Sequence, residues 1–182
     1  MQTSKVIDYI VKWLKEYAVK NVGIQGFTVG ISNGIDSSVV STLCARTGLP
    51  VLALELPINL SKNKEKSQSI HTEWLKAQFG NDQIRSMNIN LTDTFQTLKQ
   101  TCTRFQSNDL TELALANVQS RLRMVQQQKK ITNQSNLLFS KVTLYYFAQV
   151  NRHLVAGTGN KIEDFGVGFF TKYGNSLFSK TK

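Results

Sequence analysis

Near the start of this 182-residue chain, polar residues that could hold a phosphate stand between two apolar stretches. The segment 30–38 reads Gly-Ile-Ser-Asn-Gly-Ile-Asp-Ser-Ser. It follows residues 27–29, which predict a buried strand, and precedes residues 39–45, which predict a buried helix. A polar turn between a strand and a helix directs backbone N–H groups and the helix dipole towards an anion. The segment therefore predicts a phosphate-binding loop.

The residue types within this loop refine the prediction. Gly30 and Gly34 would let the backbone approach a phosphate closely, and three serines add hydroxyl donors. Asp36 would repel a phosphate, so its carboxylate indicates a divalent cation between the two. No Gly-Lys-Ser/Thr follows the glycines, which excludes a Walker loop. The alternative is an ordinary strand–turn–helix in which Ser and Asp cap the helix.

The rest of the chain predicts the elements that position this loop. Further strands are predicted at 51–57, 84–89 and 154–156, with a helix at 67–79 and an amphipathic helix, not a signal peptide, from Val6 onwards. Alternating strands and helices favour an α/β fold with a doubly wound parallel sheet. Ligands of such sheets bind at the carboxyl ends of the strands, where the loop would lie.

A second glycine-bearing loop, Gly157 to Lys161, follows the strand predicted at 154–156. It could close over the same ligand, and Glu163 could supply a second metal carboxylate opposite Asp36. Arg121 lies on a predicted helix at 116–124. Its guanidinium could bind a phosphate or a carboxylate through two hydrogen bonds, or it could remain exposed to solvent. The polar segment 126–142 interrupts this helix, because joining Val125 to Thr143 continues its apolar phase. We interpret 126–142 as an insertion that adds nothing to the core.

Composition bounds the class of protein. The length predicts a single domain over 1–182. The net charge is +10, but the basic residues are dispersed along the chain and are not interleaved with aromatic residues, so a nucleic-acid partner is not favoured. A polyphosphate ligand would also suit the positive charge. No apolar run could span a bilayer, which argues against a membrane. Cys44 and Cys102 lack metal-ligand spacing, which indicates free thiols in a cytoplasmic protein.

Together these segments resemble ammonia-dependent NAD synthetase, a family of the ATP pyrophosphatase superfamily. The resemblance rests on the 30–38 loop, similar to Ser-Gly-Gly-x-Asp-Ser, on the arginine-bearing helix 117–124, on the Gly-Thr loop with a downstream Glu, and on Phe-Thr-Lys-Tyr-Gly at 170–174. It implies an adenine nucleotide alpha hydrolase-like fold, a cytoplasmic homodimer, and magnesium as cofactor. It also implies that ATP adenylates deamido-NAD, releasing pyrophosphate, and that ammonia then displaces AMP. Too few residues precede the loop for a glutaminase domain, so free ammonia is the implied nitrogen source.

The resemblance also implies which residues form the binding site. In this family the reaction is promoted by positioning the reactants and neutralising their charge, so no side chain is assigned as a catalyst. Magnesium would be held by Asp36 and Glu163. Deamido-NAD would contact Arg121, Lys172 and Asn175. ATP would contact a set drawn from both loops: Gly30, Ile31, Ser32, Asn33, Gly34, Ile35, Asp36, Ser37 and Thr158.

The chain departs from the family pattern at several positions. Asn33 replaces a glycine of the loop, and Asn is the least costly substitute if that position needs a positive φ. Asn175 stands where the family has Asp, and Ser176 where it has Gly. Residues 177–182 diverge from the family, whose C-terminal segment does not follow, so we expect a C-terminally truncated domain.

These departures leave three interpretations of function. The first is an active NAD synthetase, either alone or completed by a separate polypeptide. The second is an inactive or fragmentary remnant that retains nucleotide binding. The third is another adenylating ATP pyrophosphatase or a nucleic-acid-binding protein. Since the missing segment would supply both ATP contacts and core, we expect little or no NAD synthesis by the chain alone.

Overall fold

A parallel β-sheet lies at the centre of the computed structural model, which describes residues 2–32, 34–58, 70–103, 118–119, 122 and 143–162. The sheet has the order β3-β2-β1-β4 and is parallel at every pairing. The chain moves outward from β1 to β3 and then returns to the other side of β1, so a topological switch point lies between β1 and β4. The strands are β1 (Gly26–Ile31), β2 (Val51–Glu55), β3 (Ile84–Asn88) and β4 (His153–Ala156).

Helices connect the strands and cover the sheet. They are α1 (Thr3–Lys20), α2 (Ile35–Arg46), α3 (Ile70–Phe79), α4 (Thr92–Thr103) and α5 (Thr143–Asn151). Among the described helices, none combines the length and the apolar character that a membrane crossing requires.

The two central strands β1 and β2 are covered on both faces and are largely apolar, whereas β3 at the edge of the sheet is partly exposed. In β2, Val51 and Ala53 belong to a core cluster shared with residues of α1, α2 and α3. The intervening residues Leu52 and Leu54 belong to a second cluster shared with residues of α4 and α5. Successive strand residues thus serve opposite layers. This arrangement confirms the predicted doubly wound α/β fold.

The start of α2 differs from the sequence-based prediction. The apolar pattern predicted a helix from Val39, but the helix begins at Ile35, so the second half of the polar segment forms its first turn. Gly34 is the N-cap residue and is extended, with φ −85° and ψ 160°. Polar residues are common in first turns because their N–H groups lack intrahelical partners. Asp36 therefore lies in the first turn of α2, where a negative charge is favourable.

Cys44 lies on the buried face of α2, and no part of its side chain is exposed. It is a free cysteine, as the sequence predicted, and burial raises the pKa of its thiol to about 12. A thiol with such a pKa is unreactive, so Cys44 acts as a small apolar core residue.

Candidate functional site

The 30–38 loop lies at the carboxyl end of β1 and is ordered by a compact set of serine hydrogen bonds. The Ser37 hydroxyl donates to the Gly34 carbonyl at 3.0 Å and accepts from the Ser32 backbone N–H at 3.2 Å. The hydroxyl oxygens of Ser32 and Ser37 lie 3.1 Å apart. Ser32 Oγ also accepts from the Gly34 N–H at 3.3 Å. These bonds fold the loop back onto the start of α2.

A single proton arrangement satisfies this set. Since Ser37 gives its hydroxyl proton to Gly34, the Ser32 hydroxyl donates to Ser37. The Ser38 hydroxyl also donates to the Gly34 carbonyl, at 3.0 Å. The sequence had predicted these serines as hydroxyl donors to phosphate, but in this arrangement Ser37 and Ser38 use their protons to hold the turn.

Backbone groups are therefore the donors that the loop offers to an anion. The cap residue Gly34 provides no side-chain hydrogen bond, so the first N–H groups of α2 have no capping side chain. Gly34 fits this turn closely, because a Cβ atom there would lie 3.3 Å from Ser32 Oγ. Its φ is negative, so close approach rather than an unusual backbone conformation explains the glycine.

The buried hydroxyl of Ser37 gives a first testable expectation. Ser37→Ala removes an acceptor from the Ser32 N–H and a donor from the Gly34 carbonyl, and we expect it to lower the free energy of unfolding by about 1–2 kcal/mol. Ser38→Ala, which removes one bond to the same carbonyl, should cost less than about 1 kcal/mol. Urea unfolding of both variants measures the difference, and equal losses would show that the Ser37 hydroxyl does not order the loop.

The second loop lies against the first, as the sequence predicted. Asn160 donates from its side-chain amide to Asp36 Oδ1 at 3.2 Å, across 124 positions of sequence. The Asn160 side chain is itself oriented by the Ile162 N–H, which donates to its carbonyl oxygen at 3.0 Å. Thr158 follows β4 within this loop and is half-buried. The carboxyl ends of β1 and β4 therefore place Asp36 and the second loop at one edge of the sheet.

The donors at this edge suit a hard divalent cation. Carboxylate, hydroxyl and amide oxygens are the ligands that magnesium prefers, and Asp36 has a second carboxylate oxygen beyond the one that Asn160 contacts. Within the described ranges, no three His, Cys, Asp or Glu residues form a cluster that could hold a metal. Of the two carboxylates that the sequence predicted for the metal, the described residues contain Asp36. Glu163, the predicted second carboxylate, lies outside them.

Sequence reasoning missed a buried carboxylate at the same edge. Glu55 ends β2 opposite Ile31, the last residue of β1. It is 7% exposed, and its two oxygens accept from the Thr72 hydroxyl at 2.8 Å and from the Asn88 amide at 3.1 Å. These bonds join β2 to α3 and β3, which fixes the edge of the sheet beside the loop. Its position at the end of an apolar strand gave no signal, because the partners are 17 and 33 residues away.

His71 also contacts the loop helix. Its Nε2 lies 2.8 Å from the Ser41 hydroxyl, which donates to the Ser37 carbonyl at 2.7 Å. The Ser41 hydroxyl also donates towards the Ser38 carbonyl at 3.1 Å, and the tautomer of His71 sets which of Ser41 and His71 is the donor in their contact. Desolvation by burial lowers the pKa of the His71 imidazole. This contact joins α3 to α2.

Several predicted site residues lie outside the described part of the chain, and their roles stay predictions. These are Asn33 of the first loop, Arg121, Lys172, Asn175 and Glu163; the predicted insertion 126–142 lies outside it as well.

The family comparison matches most of the chain. The sequence model of NAD synthase matches residues 6–141 and 139–178, so the two matched stretches meet inside the predicted insertion. A relative from Finegoldia magna, "NH(3)-dependent NAD(+) synthetase", is 33% identical over 177 residues, which is 97% of this chain and 61% of the relative.

Solved structures show the same similarity. The chain superposes on "NH3-dependent NAD synthetase from Campylobacter jejuni", solved with a nitrate ion, with a TM-score of 0.68 and 27% identity, covering 96% of this chain and 64% of that one. It also superposes on an NMN synthetase from Francisella tularensis with a TM-score of 0.70 and 26% identity, covering 96% and 61%. The chain therefore spans less than two thirds of the length of each of these proteins.

Proposed function

The chain belongs to the NAD synthase family, and we propose that it acts in the ATP-dependent amidation of deamido-NAD by ammonia. The observation that carries this proposal is the contact between Asp36, in the first turn of α2, and Asn160, in the loop after β4. The contact leaves the second carboxylate oxygen of Asp36 beside the first turn of α2, which has no capping side chain and lies near the switch point of the sheet. That combination suits a polyphosphate with a divalent cation better than it suits a bare anion.

The proposed reaction has two steps. An oxygen of the substrate carboxylate attacks the α-phosphorus of ATP, and pyrophosphate leaves. Ammonia then attacks the carbonyl carbon of the adenylate, AMP leaves with the former carboxylate oxygen, and the amide forms after loss of a proton. Bound magnesium, held by Asp36 and Glu163, would neutralise charge on the phosphates.

The residues of the chain would mainly bind and orient. The N–H groups at the start of α2 would hold phosphate oxygens, and Ser32 and Ser37 would keep that turn in shape. Thr158 would contact ATP from the second loop. On the substrate side, Arg121, Lys172 and Asn175 would contact deamido-NAD, and holding both reactants in line supplies much of the rate. We further propose a cytoplasmic homodimer, on the basis of the family resemblance.

The decisive experiment measures AMP and NAD formation with ATP, magnesium, deamido-NAD and ammonia, first by the purified chain alone, from which little or no turnover is expected, and then by the chain fused to the C-terminal segment of a relative. For the fused chain the proposal expects AMP only when deamido-NAD is present, and one NAD for each AMP when ammonia is added. Magnesium-dependent ATP binding by the fused chain without AMP formation would contradict the proposal and favour the nucleotide-binding remnant. AMP formation that does not depend on deamido-NAD would favour another adenylating enzyme.

The similarity to an NMN synthetase gives this assay a second arm. Nicotinate mononucleotide carries the same reacting carboxylate as deamido-NAD but lacks the adenylate half. If the proposed substrate is right, kcat/KM will be higher for deamido-NAD. A higher value for nicotinate mononucleotide would assign the chain to NMN synthesis while leaving the two chemical steps unchanged.

A further inference from the structure

A cleft of about 440 Å³ opens at the amino edge of the sheet, opposite the edge that carries the 30–38 loop. Its walls come from all four strands, because residues at or just before the start of each strand line it, together with the last turn of α5. A volume of this size is typical of pockets for small molecules. The cleft shares no lining residue with either loop of the candidate site.

Two arginines line this cleft from different sides. Arg85 lies on β3 in register with Leu52 of β2, and Arg152 lies in the turn between α5 and β4. Within the described part of the chain, the side-chain ion pairs join only Lys12 and Lys20 to Glu16. Neither guanidinium therefore forms an ion pair with a described carboxylate, although Asp82 also lines the cleft.

The backbone around Arg152 fixes its position. Its φ is 55°, a left-handed conformation that is uncommon for a residue other than glycine. Its carbonyl accepts from the Gln25 N–H at 2.7 Å, and its own N–H donates to the Gln149 carbonyl at 3.2 Å. These bonds hold the turn against the start of β1. The side chain is thus presented at the cleft by a constrained backbone rather than by a free loop.

His153 begins β4 and also lines the cleft. Its Nδ1 is 3.3 Å from the Thr28 hydroxyl. Desolvation by burial lowers the pKa of its imidazole; a hydrogen bond with the Phe27 backbone opposes the shift, and the positive charge of Arg85 adds to it. The cleft therefore combines two guanidinium cations with an imidazole whose pKa is lowered, and Asp82 is a carboxylate among its lining residues.

We propose that this cleft is a second binding site, which takes the phosphoryl group of a phosphorylated small molecule. The guanidinium groups of Arg85 and Arg152 bind phosphate oxygens, for which a planar fork of N–H donors is well suited. The remaining volume accommodates an organic group beside the phosphoryl anion, next to residues 50–52 at the start of β2. This proposal is independent of the reaction proposed for the other edge.

The two histidines of the chain make the test specific to the cleft. His153 lines the cleft, whereas His71 contacts Ser41 of the loop helix at the other site. NMR titration of the imidazole signals measures both pKa values in one sample. A bound dianion favours the imidazolium, so phosphate at constant ionic strength should raise the pKa of His153 by about one unit and leave that of His71 in place.

Charge variants identify the groups responsible. Arg85→Gln and Arg152→Gln should each reduce the phosphate-induced shift of His153. Arg46→Gln is the matched control, because it removes the same charge from an exposed residue of α2, which packs on the opposite face of the sheet. Comparing inorganic phosphate, pyrophosphate and AMP then separates the sources of the phosphoryl group: a lower dissociation constant for AMP, read from His153, indicates that the organic part occupies the cleft.

Three results would overturn the proposal. The first is an unchanged His153 pKa in the presence of phosphate. The second is an equal shift caused by chloride at the same ionic strength, and the third is a full shift in both cleft variants. A response of His71 alone would place the anion at the loop of α2, which would support the proposed function and contradict the second site.

Discussion

Asp36→Asn will weaken the binding of magnesium-ATP at least about tenfold, while the free energy of unfolding changes little. Asn is nearly the same size as Asp and keeps an oxygen that can accept from Asn160, so the contact between the two loops can survive. What the variant loses is the negative charge, which a divalent cation requires and a phosphate does not. The expected effect is therefore confined to binding in the presence of metal.

ATP binding in the absence of metal distinguishes the role of the Asp36 charge most clearly. In the presence of a chelator, Asp36→Asn should bind ATP as well as the unsubstituted chain or better, because a carboxylate beside the phosphates is repulsive. Calorimetric titrations with magnesium and with chelator measure both cases. Asp8→Asn, a matched change at an exposed position of α1, controls for the loss of net charge.

Equal loss of affinity with and without magnesium would assign Asp36 a purely structural part in the loop. Unchanged affinity in both conditions would remove it from the ATP site altogether. Either result would leave the fold assignment intact, because that rests on the sheet and on the family match.

The strands were predictable from sequence because each buried strand is marked by apolar residues within one short segment of the chain. A parallel sheet covered on both faces requires continuous apolar runs, and residues 51–55 show such a run. The start of α2 was not predictable in this way, because its N-cap residue Gly34 has no side chain and its first turn is as polar as a loop. Helix ends that lack a capping side chain leave no mark that distinguishes them from a turn.

The candidate site was predictable where a single segment carries it and not where distant segments meet. The order Gly-x-Ser-x-Gly-x-Asp-Ser placed Asp36 at the loop, and the sequence predicted that a second loop would approach it. Asn160, the residue that makes the contact, was not singled out, since an amide in a glycine-bearing loop is ordinary. Glu55 and the cleft at the amino edge are products of strand register, which the sequence does not display.

Gly26→Ala will lower the free energy of unfolding by about 1–3 kcal/mol or more, a large effect for one methyl group. Gly26 begins β1, next to Phe27, whose N–H donates to the Pro50 carbonyl at 2.9 Å. A Cβ atom at position 26 would overlap that carbonyl oxygen and would lie 2.9 Å from His153 Nε2. Because the carbonyl belongs to backbone at the entrance to β2, it can move only by disturbing the pairing of the central strands.

The same substitution further along the strand provides the control. At Gly30 a Cβ atom would meet Leu144 Cδ1 at 3.4 Å, an ordinary van der Waals distance, and Ala restricts the unfolded chain more than Gly does. Gly30→Ala should therefore change the free energy of unfolding by less than about 1 kcal/mol. Urea unfolding with an unchanged m-value measures both variants on one scale. If Gly26→Ala were as stable as Gly30→Ala, the close packing of β1 against the Pro50 carbonyl would be wrong, and with it the register that brings His153 and Arg85 to one cleft.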